Sequence, residues 1–213
     1  MKLPKMFIVA SLIIAGLIFT PALGAYDGQE GGLIGKRYAG ADLGYQYYHS
    51  SRYDNSWDGG LLVNDPLTTN LDATFNYGLS HLMGPNYSRV RNQLSASLVT
   101  YAQDEYGKPF FTATLGELWD TARTAGSQIS DSSTIWGLGA GIEVGFMGDS
   151  AITYTLGYSD GFNGSTMNPT WKYGLQLNHW FKPRVSGVAS FTYNQIRHAP
   201  DAMQYTVGLR VLF

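Results

Sequence analysis

From residue 37 onward, large apolar residues fall on every second position, segment after segment. In 37–47 the set is Ala39, Ala41, Leu43, Tyr45 and Tyr47, set against Gly40, Asp42, Gly44 and Gln46. In 69–79 it is Leu71, Ala73, Phe75, Tyr77 and Leu79; in 90–101, Val90, Leu94, Ala96 and Leu98; in 109–119, Phe111, Ala113, Leu115 and Trp119. Glu117 sits on the apolar parity of that last segment, near its end. The stretch TIWGLGAGIEVGF puts Trp136, Leu138, Ala140, Ile142, Val144 and Phe146 on one face and glycines with Glu143 on the other. The same alternation returns in 152–158, 171–181, 185–193 and 205–213. A period of two is the signature of strands with two unlike faces.

These nine segments predict an all-β chain. An antiparallel up-and-down sheet closed on itself takes an even number of strands, and the gap from 48 to 68 has room for one more at WDGGLLVND, Trp57 to Asp65, with a tight turn at Asp65–Leu67. The expectation is therefore ten antiparallel up-and-down strands, with eight as the alternative. Alternate connections are short (near 65–67, 102–107, 147–150 and 182–183), and the others are longer and polar (48–56, 80–89, 120–133, 160–170 and 197–203). Tight turns at one end and longer loops at the other are the arrangement of membrane barrels.

Alternation alone does not separate a membrane barrel from a soluble one, because only the facing of the two parities is reversed. The polar parity decides. It is Gly, Ser, Thr, Asn and Gln with few charges, whereas a solvated outer face carries many. The apolar parity places Tyr, Trp and Phe near strand ends, as aromatic girdles at two lipid interfaces require.

The N-terminus agrees. Lys2 and Lys5 precede an apolar run from Met6 to Phe19, then Thr20-Pro21 and the small residues Ala22-Leu23-Gly24. This three-part pattern reads as a cleaved secretory signal peptide over 1–24, with cleavage after Ala25 the alternative. Residues 25–36 are then expected as an N-terminal periplasmic segment and 37–213 as the transmembrane barrel. Composition removes other classes. Charged residues make up 14% of the chain and the net charge is −2, so the field of a nucleic-acid binder is missing. With no Cys there is no disulfide framework, thiol nucleophile or Cys-zinc site. The even spacing of glycines in GLGAGIEVG is a strand pattern, not a dinucleotide loop.

The last stretch, YTVGLRVLF, alternates Tyr205, Val207, Leu209, Val211 and Phe213 with Thr206, Gly208, Arg210 and Leu212. A closing strand ending in Phe resembles the assembly signal of bacterial outer-membrane β-barrel proteins. YAGADLGYQYYHSS and NLDATFNYGLS are similar to strands of the small OmpA-like and porin-like barrels. The resemblance covers nearly the whole mature chain. It implies the bacterial outer membrane as location and no cofactor. It implies outer-membrane lipid and lipopolysaccharide, the barrel-assembly machinery (through the C-terminal strand) and a surface ligand at the loops as partners, with no nucleic acid and a monomeric state.

By parity, Asp42, Asp72, Arg91, Glu143, Lys172 and Arg210 face the lumen. Unpaired charges there would cost several kcal/mol each, so an internal ion-pair network is expected in preference to a charge-selective constriction. Closure makes the strands of Asp42 and Arg210 neighbours. A barrel of this size lies near the limit at which side chains fill the interior. The function expected first is an envelope-structural or surface-binding role through the loops, and second a narrow porin-like channel. A lipid A-modifying or surface hydrolase comes third, resting on His49 beside Ser50, Ser51, Asp54 and Asp58; a polar loop collects such residues by chance. The expectation is that the protein is not an enzyme.

Overall fold

The computed structural model describes residues 31–49, 55–84, 87–104, 106–146, 148–162 and 167–213. The expected signal peptide over 1–24 and its cleavage point lie outside the described residues, and the expected periplasmic segment is described only from Gly31. The strands are β1 (Tyr38–Tyr48), β2 (Ser56–Thr68), β3 (Leu71–Gly84), β4 (Tyr87–Tyr101), β5 (Lys108–Thr124), β6 (Ser127–Phe146), β7 (Ser150–Gly161), β8 (Thr170–Lys182), β9 (Val185–Ile196) and β10 (Ala202–Leu212). Each pairs antiparallel with its sequence neighbours, and β1 pairs with β10 from Tyr38↔Leu212 to Tyr48↔Ala202. The result is the expected ten-stranded closed barrel. Closure leaves no lipid-exposed sheet edge around the wall, which is the condition for a sheet to cross hydrocarbon.

The two parities face as a membrane wall demands. Leu43 and Val207, on the apolar set, are 69% and 62% exposed, while the polar Ser186 and Asn178 are 0% and 1% exposed. Apolar outside and polar inside inverts the arrangement of a soluble protein. Aromatic rings gather toward the loop end of the wall. Tyr45 meets Trp57 at 5.1 Å between centroids, Trp136 meets Tyr158 at 5.6 Å, Tyr158 meets Trp171 at 5.1 Å and Phe191 meets Tyr205 at 5.3 Å. Amphipathic rings settle at the headgroup level. From Tyr205 to Phe213 the tilted strand climbs roughly 20 Å, close to the ~25 Å apolar band of such barrels.

The tenth strand lies where the gap left room for it, but it runs to Thr68 and its turn falls at Thr69-Asn70. Pro66 is accommodated by a register irregularity between Pro66 and Thr68, a place where a ladder tolerates a residue with no N–H. The expected loop over 120–133 is also largely strand: β5 and β6 continue outward and turn at Ala125-Gly126, where Gly126 has φ +92°. Polar cross-strand pairs carry this extension. Thr121 and Ser130 hydroxyls lie 3.3 Å apart, and Arg123 Nε donates to Gln128 Oε1 at 3.1 Å. Above the membrane both faces are wet, so the apolar alternation that marks a strand vanishes from the sequence although the ladder persists.

The wall makes a depth-dependent prediction. Leu209 lies midway between Tyr205 and Phe213 and is 57% exposed on the lipid face. Leu209→Arg is expected to lower the unfolding free energy in lipid vesicles by about 2–4 kcal/mol, against little change for the lumen-facing Thr206→Asn. Denaturant titration followed by the gel shift between folded and boiled protein measures both.

Candidate functional site

The strands bring polar side chains into the lumen at three levels. At the short-turn end, the chain before β1 folds back into the mouth of the barrel, where Gly31, Gly32 and Leu33 are buried. Glu143 grips this segment. Its Oε2 accepts the Leu33 N–H at 2.8 Å, and both its oxygens lie 3.3–3.4 Å from the Ile34 nitrogen. Asp72 Oδ2 accepts the Gly35 N–H at 2.8 Å and Asn64 Nδ2 at 3.0 Å. Cations and amides hold the carbonyls: Lys108 Nζ donates to Ile34 O at 3.2 Å, Asn64 Nδ2 to Lys36 O at 2.8 Å and Trp180 Nε1 to Gly31 O at 2.9 Å. Asn178 also donates to Gly31 O. Lys36 sits 4.7 Å over the Trp180 ring, and Arg37 pairs with Asp65 at 2.5 Å. Only glycine fits at residue 32, where a Cβ would come within 1.9 Å of Glu143 Oε1.

The reason for this grip is electrostatic. A carboxylate buried in a narrow lumen is costly unless hydrogen-bonded, and oriented peptide N–H groups are strong donors to it. The segment and Glu143 therefore depend on each other: without the segment, Glu143 would lose its backbone donors.

One level up, β1 meets β10. Arg210 Nη1 and Nη2 reach Asp42 Oδ1 and Oδ2 at 2.7 and 3.0 Å, a two-point contact across the closing seam. Such a fork is the strongest geometry for an ion pair. Toward the loop end, Asp120 takes both Arg89 and Arg91, with Arg91 Nε at 3.0 Å.

The six charges marked by parity thus take separate places. Asp42 and Arg210 meet each other; Asp72 and Glu143 hold backbone; Arg91 shares Asp120 with Arg89. Lys172, among the described residues, has neither an ion pair nor a hydrogen bond. They do not form one continuous network. Four lumen charges were missed: Asp58, Arg89, Lys108 and Asp120. Arg89 shares the parity of Arg91 and was legible on that ground. Lys108 opens β5 and Asp120 lies four residues before its end, in stretches that read as turn and loop.

Between the seam pair and the loops the lumen opens into a cavity of 510 Å³. Its wall combines amides, hydroxyls and glycines, chiefly from β1 to β4 and from β8 to β10, with the aliphatic side chains of Leu79, Leu82, Leu118 and Ile196, and Arg89, Arg91 and Lys172 stand among them. Asp58 on this wall accepts Gln204 Nε2 at 2.9 Å.

The rim cluster around His49 is described only in part, because Ser50, Ser51 and Asp54 lie outside the described residues. A different Ser-His-Asp grouping occurs at the short-turn end, where Ser150 Oγ lies 2.8 Å from His179 Nδ1. Asp149 Oδ1 is 3.2 Å from that same hydroxyl and 3.7 Å from that same ring nitrogen. In a nucleophilic triad the acid orients the far nitrogen of the ring. Here the Ser150 hydroxyl and the Asp149 carboxylate both crowd the same ring nitrogen, which is the geometry of a turn cap. Among the described residues no three His, Asp or Glu side chains converge as a metal site would need.

No protein-family model matches the chain, and no curated protein matches it. Solved structures do. The translocator domain of the autotransporter NalP from Neisseria meningitidis is 11% identical over 98% of this chain and 98% of its own, with a TM-score of 0.52. Neisserial surface protein A is 16% identical over 83% and 97%, with a TM-score of 0.49. The N-terminal β-barrel domain of Pseudomonas aeruginosa OprF is 14% identical over 84% and 98%, with a TM-score of 0.42. At these identities the likeness is one of fold: the chain has the closed-barrel architecture of bacterial outer-membrane proteins.

The seam pair sets a test of the wall. Arg210→Met strands the Asp42 carboxylate and is expected to cost about 3–5 kcal/mol; Asp42→Asn combined with Arg210→Met is expected to recover most of it. Unfolding titrations of the two single variants and the double variant give the coupling.

Proposed function

We propose that this chain is a bacterial outer-membrane barrel, closed at its periplasmic mouth, that turns a polar vestibule toward the cell surface and serves recognition at the envelope instead of conduction. The carrying observation is the hold of Glu143 on the Leu33 and Ile34 amides, which keeps the 31–37 segment inside the short-turn end. Short turns face the periplasm in such barrels and longer loops face outward. The vestibule therefore opens outside and ends blindly. A continuous aqueous path would have to pass Gly31–Arg37 and then the Asp42–Arg210 pair. The lipid-facing wall and the aromatic girdle support the location. The crowded arrangement of Ser150, Asp149 and His179 gives no support to a hydrolase.

Planar bilayers test this reading. The folded barrel is expected to show no discrete current steps. Glu143→Ala, which releases two backbone donors, and deletion of 31–37 are each expected to produce steps, with the heat-dependent gel shift confirming that each variant still folds. Steady conductance of the unaltered protein would overturn the closed-mouth reading in favour of a narrow porin-like channel.

A further inference from the structure

The vestibule carries charges that the fold pairs only in part. Its wall and margins hold four cations, Arg89, Arg91, Lys172 and Arg210, and three acids, Asp42, Asp58 and Asp120. Asp42 is taken by Arg210 and Asp120 by the two arginines of β4. Asp58 is held by the Gln204 amide and lies 3.5 Å from the Ser56 hydroxyl. Arg91 gives its Nε to Asp120, at 3.0 Å, and among the described residues its two terminal nitrogens have no hydrogen-bond partner. Lys172 lies opposite Gly157 on β7 and Asn194 on β9, with no acid at either register position. It is open to the cavity and, among the described residues, has no partner.

Geometry adds a second constraint. β4 and β8 stand four strands apart in a ten-stranded ring, so Arg91 and Lys172 line nearly opposite walls. Ten strands at ~4.8 Å spacing and ~40° tilt give a ring about 20 Å across. Two cations with spare donors therefore flank one cavity from two sides. Between them the lining mixes amides and hydroxyls, including Gln46, Asn76, Gln93, Thr192 and Gln204, with aliphatic side chains such as Leu79 and Ile196. A wall of that kind satisfies a ligand rich in hydroxyl groups, and the walls' separation suits anionic groups at both ends of it.

We infer that the vestibule is a binding site for a small polyhydroxylated dianion, anchored by Lys172 at one end and Arg91 at the other. The inference rests on the reading of a blind, outward-open vestibule. A charge-assisted hydrogen bond contributes about 1.5–3 kcal/mol, so loss of one anchor reduces affinity by roughly 10–100-fold. Arg91→Gln gives up its Nε contact with Asp120 but leaves that acid with Arg89, and Lys172→Met removes no hydrogen bond or ion pair among the described residues; the heat-dependent gel shift confirms that each variant folds.

Calorimetry on the folded barrel in low-salt detergent tests the site with D-glucarate and its neutral counterpart D-glucitol. Glucarate is expected to bind, more weakly as salt is raised, and glucitol to give no heat. Lys172→Met and Arg91→Gln are each expected to weaken glucarate at least tenfold. No binding of glucarate, equal binding of glucitol, or unchanged affinity in Lys172→Met would each overturn the inference. Conductance on the same preparations separates the two readings: a silent barrel that fails to bind overturns the site alone, whereas a conducting barrel overturns the closed vestibule on which it rests.

Discussion

Everything in this structure depends on the closure of the backbone ladder. In hydrocarbon an unpaired N–H or C=O costs several kcal/mol, so the sheet has to be endless around its girth. Antiparallel pairing of β1 with β10 meets that condition over eleven register positions. Once the ladder is closed, the remaining choices follow. Alternate side chains have only two destinations, lipid or lumen, and a ring of ten strands leaves a lumen too narrow to hydrate every charge it receives. The lumen charges must find partners within the wall or from elsewhere in the chain.

The two ends of the lumen solve this differently. At the short-turn end the carboxylates of Glu143 and Asp72 are met by peptide groups of the 31–37 segment, with Lys108 and Asn64 holding its carbonyls. Peptide dipoles bring no net charge, so acids can be buried there without importing an equal number of cations. At the loop end the walls stand apart and water reaches them, so Lys172, with no ion pair among the described residues, stands there at modest cost. Burial therefore falls from the short-turn end toward the loop end, and the chemistry of the lining changes with it from closed hydrogen bonding to open donors.

Much of this was legible from residue types alone. Alternation such as that of Trp136 through Phe146 reveals a membrane strand because lipid on one side and lumen on the other impose unlike residues on the two faces. The even-count rule then located β2 in a stretch whose own pattern is weak. The same logic failed above the membrane: in 120–133 water lies on both faces, Ser and Thr serve either side, and the pairing of β5 with β6 leaves no periodic trace. The lumen plug was illegible for another reason. Gly31 to Arg37 has no periodicity, and its place is set by acceptors on β3 and β6, more than thirty residues away along the chain. Residue chemistry could mark Glu143 as a buried acid in want of donors. It could not say that the donors would be amides.

The closing seam has one further property. In β1 the lumen-facing order is Gly40 then Asp42; in β10 it is Gly208 then Arg210. In the observed register Arg210 lies opposite Gly40 and Asp42 opposite Gly208. Each long polar side chain leans into the notch left by the glycine across from it. A Cβ on Gly40 would approach Arg210 Cδ to 2.5 Å, and one on Gly208 would approach Asp42 Oδ1 to 1.8 Å. Sliding β10 by one residue turns Arg210 into lipid. Sliding it by two sets the charges head-on or pulls them apart, and takes both out of their notches. The first and last strands of the barrel thus carry the two halves of a keyed clasp, cut in shape and in charge, that fits in one alignment only.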